Sequence, residues 1–256
     1  MAIWVLSGCA IIFMTANWMI GQPELPVTLR ATADGLVRIQ AVDYSSLQKL
    51  EGRVLTGIEW QSPDASPGHT KNKALAIDLL MLQRSARWIA DASQRRQFFE
   101  DHRALEQLLQ DWQVKQGLKV TLLFQSSPSE AVWVGTRGWT GLSPLFWILS
   151  LLAVMVYAVG AVVVLAAPQW RNFAFMLMAV CHGVELELIA VTSNLDLFVP
   201  TTLLVWDSQV RAIADMMIAA TVVVVAALHP RRLPGWQHYI ALTSLSVMAL
   251  MLSWTE

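Results

Sequence analysis

Residues 201–228, TTLLVWDSQVRAIADMMIAATVVVVAAL, are long enough to cross a bilayer, carry three charges and run directly into His229-Pro230-Arg231-Arg232. About 20 apolar residues span a hydrocarbon core. Short loops rich in Lys and Arg stay on the cytoplasmic side, so Arg231 and Arg232 place this end of the span inside. Asp207, Arg211 and Asp215 fall at i, i+4 and i+8, on one helical face where the guanidinium can pair with either carboxylate. Such a face belongs against protein, not lipid.

A span that ends inside sets the direction of its neighbours. Residues 141–167 form a charge-free run with Trp139 and Trp147 toward its outer end, 173–192 return outward, and 239–254 start outward again. Arg171, in the short turn between the first two, agrees with an inside position. Residues 3–20, framed by Trp4 and Trp18, supply an anchor within residues 1–22; without a basic segment before it or a small-residue cleavage site after it, it is expected to be retained. Five spans with an inside amino terminus leave Glu256 outside, so a further span and a longer protein are expected. A transmembrane block over 141–256 follows.

The composition, 55% hydrophobic and 14% charged, is too apolar for an ordinary soluble domain. The charge is unevenly placed: residues 27–137 hold 14 of the 18 Lys and Arg and 12 of the 19 Asp and Glu. A polar domain is therefore inserted between apolar blocks, and topology puts it outside the cytoplasm. Its slight positive excess is too mild for a nucleic-acid partner. Cys9 and Cys181 both lie in apolar segments, so no disulfide framework holds the domain.

Within that domain, 27–32 and 36–42 read as strands about an Asp34-Gly35 turn, 45–50 as a short helical turn and 53–60 as a further strand. Residues 74–90 place Leu75, Leu79, Leu82 and Ile89 near one helical face, and a second helix is expected from about Phe98 to Lys115, capped by Gly117. Residues 118–124 and 131–134 close the domain as strands. The order of VDYSSLQKLEGRVLTGIEW, ALEQLLQDW and GLKVTLLF resembles a bacterial PDZ domain over 27–136, with residues 61–102 as a helical insertion. That resemblance implies an α+β PDZ-like extracytoplasmic domain and, as partner, a peptide ligand.

Ionisable groups inside spans are candidates for function. His182 and Glu185 stand at i, i+3, a spacing used in metal-binding bundles. A second such motif is missing, so no metal is expected, nor any cofactor. Pairing of Glu185 or Glu187 with Arg211 would offset the cost of burying either charge. His182, Glu185, Glu187, Asp207, Arg211 and Asp215 are thus candidates for intramembrane pairing or for a ligand or signal site. His69 and His102 are expected to be solvated. No Walker box, HExxH helix, GxSxG elbow or dinucleotide fingerprint occurs, and no catalytic centre is expected in this chain.

One anchor, an outer domain and then GLSPLFWILSLLAVMVYAVGAVVVL, RNFAFMLMAV and ALHPRRLP resemble the input region of bacterial membrane sensor histidine kinases. The resemblance implies a multi-pass protein of the bacterial inner membrane that detects a peptide or small-molecule signal outside or within the bilayer. It further implies a homodimer and a kinase core past Glu256. A small transporter or channel component, and a membrane-tethered peptide-binding module, are the alternatives.

Overall fold

Two-residue alternation of apolar side chains governs the middle of the chain, and helical periodicity governs its ends. The structure, a computed structural model, describes residues 2–42, 45–61, 72–115, 118–195 and 197–227. The expected span at 239–254, Arg231, Arg232, His69, His229, His238 and the Gly117 cap lie outside the described residues. The chain divides into two units. One is an α+β unit of Asn17–Leu142 and Thr192–Trp206; the other is helical and takes in α-helical segments before and after it.

In the α+β unit, β2 (Val27–Ala31) and β3 (Val37–Val42) pair antiparallel across the Asp34-Gly35 turn, where Gly35 takes φ 81°. Only glycine adopts that conformation without strain. Hydrogen bonds from Thr32, then from Arg38 at 2.9 Å, hold the Asp34 carboxyl down to about 2. The second sheet has the order β1-β7-β6-β4-β5, from β1 (Pro23–Glu24), β4 (Leu55–Gln61), β5 (Asn72–Ala76), β6 (Leu118–Phe124) and β7 (Glu130–Thr136). Ile58 and Trp60, Leu118, Val120 and Leu122, and Val132 and Val134 alternate inward. They meet Leu105, Leu108, Leu109 and Trp112 of α2 (Ala92–Lys115) in one core. Each such side chain contributes roughly 1.5–3 kcal/mol on burial. Two indole N–H groups pin the helix down: Trp112 donates to the Val134 carbonyl at 3.1 Å, and Trp60 donates to Asp111 at 3.2 Å.

The helix expected over 74–90 does not form. Its first residues are β5, an edge strand registered on β4 with Ile58 opposite Leu75 and Trp60 opposite Lys73. The backbone hydrogen bonds of that pairing outweigh a modest helical pattern. Asp78 then accepts from the Met81 N–H at 3.0 Å, turning the chain, and a short 3₁₀ segment follows at Ala86–Trp88. The second helix starts earlier than expected, at Ala92, because the Asp91 carboxylate caps it, accepting from the N–H groups of Ser93 at 2.6 Å and Gln94 at 3.2 Å. His102 is a further correction. It is 1% exposed, its Nδ1 lies 2.8 Å from the Phe98 carbonyl, and its ring stacks at a tilt on Phe98.

The helical unit holds most of α1 (Ala2–Ile20), α3 (Pro144–Ala166), α4 (Trp170–Thr192) and the greater part of α5 (Thr201–Ala227). Pro144–Ala166, Trp170–Thr192 and Thr201–Val225 are long and apolar enough to cross a membrane, and Leu6–Ile20 is a shorter apolar helix. Ser143 caps α3, its hydroxyl accepting from the Phe146 N–H at 3.3 Å, and Pro144 starts it. The turn into α4 closes through Asn172, whose amide donates to the Ala167 carbonyl at 2.6 Å. Beyond it α3 and α4 approach closely: a Cβ at Gly160 would lie 2.8 Å from the Ala179 Cβ. Ile148, Leu151, Met155 and Val159 stay exposed along α3, as a lipid-facing surface requires.

Candidate functional site

Two pairs of polar residues, one on α4 and one on α5, come together a single helical turn apart. Helical spacing brings His182 Nδ1 to 3.7 Å from Glu185 Oε2, too long for a hydrogen bond. On α5 the i, i+4 spacing closes fully: Arg211 Nε and Nη2 each lie 2.6 Å from Asp207 Oδ1. Asp207 is wholly buried and Arg211 is 7% exposed, so the pair is held away from solvent. Asp215 stands two turns along from Asp207 and is half-buried. No group of three metal-binding side chains occurs among the described residues.

Glu187 has different surroundings. The hydroxyls of Ser150 on α3 and Thr15 on α1 face its carboxyl. Neither makes a hydrogen bond of ordinary geometry with it, and both carboxyl oxygens and the Ser150 Oγ are buried and unsatisfied. Thr15 instead donates to the Ile11 carbonyl at 3.0 Å. Glu187 lines an open-sided groove of about 310 Å³ between α1, α3 and α4, whose other walls are apolar apart from Tyr157. Gly8 and Gly183 are among its lining residues. The Tyr157 hydroxyl lies 3.3 Å from that of Ser7, joining α3 to α1.

A second cluster, in the α+β unit, was not legible beforehand. Arg137 is 5% exposed. Its Nη2 lies 3.7 Å from Glu24, just after α1, and its Nη1 donates to the carbonyl of Asn194, between α4 and α5. The main chain joins the same knot: the Arg137 N–H donates to the Gln22 carbonyl at 2.9 Å and the Gly138 N–H to that of Ile20 at 3.0 Å. Gly141 is required here, because a Cβ would lie 2.5 Å from Arg137 Cγ and 2.6 Å from a Glu24 oxygen. Leu197 and Phe198, from the same α4–α5 connection, are buried in the core of the α+β unit. The only hint in the sequence was a lone acidic residue between Pro23 and Pro26 and a lone Arg immediately before Gly138.

Arg171, expected at the inner membrane face, sits in the first turn of α4 beside the Asn172-closed turn. Compared with protein families, curated proteins and solved structures, the chain finds no match.

Proposed function

We propose that the chain is a membrane sensory input module. Its α+β domain, PDZ-like in the order of strands and helix, lies outside the cytoplasm of a bacterial inner membrane and biases the packing of the spanning helices. Those helices pass the bias to a histidine kinase core past residue 256. Arg137 carries this reading. One buried cation holds the three places where the chain passes between the α+β unit and helical segments: after α1, before α3 and between α4 and α5. Displacing any one of them breaks contacts to a desolvated guanidinium, which favours discrete alternatives over gradual deformation. The outer location of residues 27–137 follows from Arg171, Arg231 and Arg232 by the positive-inside tendency.

The test uses the full-length parent protein in membrane vesicles. Arg137→Gln should change ATP-dependent autophosphorylation severalfold at unchanged protein level. Unchanged autophosphorylation, or a parent protein that takes no phosphate from ATP, would remove the sensor-kinase reading.

A further inference from the structure

The turn joining α3 to α4 leaves one charged side chain without a counterion. Arg171 stands in the first turn of α4, half-buried, and takes part in none of the ion pairs among the described residues. No Asp or Glu occurs between Glu130 and Glu185, and Asp215 stands ten residues before Val225 on α5, about 15 Å along the helix at 1.5 Å per residue. The guanidinium lines an open-sided groove of about 280 Å³ whose other walls are Val163 of α3, Asn172 and Phe175 of α4 and Val225 of α5. The Asn172 amide donates to the Ala167 carbonyl at 2.6 Å, and Arg171 supplies the one charge of the described lining. Here α3 ends, α4 begins and the candidate span of α5 ends, so the ends of three candidate spans come together. Trp170, next in the chain, is 85% exposed, as an indole at a headgroup boundary is.

An acyl chain alone would cover Val163, Phe175 and Val225 and leave the guanidinium unneutralised. A free phosphate would answer the charge and leave those walls wet. A zwitterionic headgroup brings its own ammonium, which competes for the phosphate and meets no carboxylate in the described lining. An anionic phospholipid meets both demands, because its phosphate accepts two parallel N–H bonds from one guanidinium while its acyl chain follows the apolar walls. Basic recesses between spanning helices hold anionic headgroups by this combination. We propose that this groove binds one anionic phospholipid, its phosphate diester on Arg171 and the start of an acyl chain along Val163, Phe175 and Val225. A volume of about 280 Å³ holds only part of a lipid, so the rest of the molecule stays in the bilayer. Such binding stands apart from the sensory reading and needs no kinase core.

The experiment releases the full chain from nanodiscs holding equal amounts of phosphatidylglycerol and phosphatidylcholine with identical acyl chains, and native mass spectrometry counts the lipid it keeps. One phosphatidylglycerol should be retained about fivefold more often than one phosphatidylcholine. Arg171→Gln should abolish that preference. Val163→Trp, which fills the groove and keeps the guanidinium, should do the same and serves as the test where Arg171→Gln does not stay monodisperse. Arg84→Gln, the same loss of charge at an exposed arginine of the α+β unit, should leave the preference intact. Inorganic phosphate in excess should not displace the lipid. Equal retention of the two lipids by the unaltered chain, a preference that survives Arg171→Gln or Val163→Trp, its equal loss in Arg84→Gln, or displacement by inorganic phosphate would each overturn the proposal. Because lipid retention is read on this chain and autophosphorylation on the parent protein, failure of one is distinguishable from failure of the other.

Discussion

His102 illustrates how a single side chain couples the α+β core to acidity. Burial pushes its pKa below the free value of 6.5, against smaller opposing effects of the Phe98 carbonyl and the Asp78 charge. The unfolded chain therefore binds a proton on this ring at a pH where the folded chain does not. Its contribution to stability is complete above pH 6.5 and is lost as pH falls below it. Thermal unfolding of the detergent-solubilised protein should drop between pH 7 and pH 5, and His102→Leu should flatten that dependence. Trp60 offers a second case. Replacing it with Phe keeps most of the buried ring but strips the donor from Asp111, itself 8% exposed, and should cost about 1–3 kcal/mol in urea unfolding.

At the level of helices and strands, end chemistry and close approach decide more than average propensity. Asp91→Ala removes the carboxylate that accepts from the Ser93 N–H and hydroxyl and from the Gln94 N–H at the start of α2, and should cost about 1 kcal/mol, read as a lowered melting temperature. Gly160→Leu inserts a side chain where α3 meets α4 at 2.8 Å and should cost about 1–3 kcal/mol, read as loss of monodisperse protein on size exclusion. Elements whose own residues carry the pattern were legible: the alternation in LKVTLLF marked β6 residue for residue, and long apolar runs marked α3, α4 and α5. The segment after Asn72 was misread because Leu75, Leu79 and Leu82 suit a helix equally well. Only the waiting edge of β4, remote in sequence, makes the start of it a strand. Site residues divide the same way. Asp207 with Arg211 and His182 with Glu185 are neighbours on one helix and readable from spacing. Glu187 beside Ser150, and Arg137 with Glu24 and Asn194, depend on contacts between distant parts of the chain.

For the whole molecule, the connection between α4 and α5 matters more than its length suggests. Arg137→Met should cost about 3 kcal/mol, since it leaves Glu24 and the Asn194 carbonyl without the cation between them, and a Glu24→Gln, Arg137→Met double variant should be less damaged than the sum of the two changes. Chemical denaturation of the four proteins measures that coupling. The position of Leu197 and Phe198 reaches further, into how the protein is made. A ribosome that has just finished β7 has not yet synthesised these two core residues; about sixty amino acids, including two candidate membrane spans, separate them from the last strand. The domain's interior thus stays incomplete until both apolar helices that follow it have been translated.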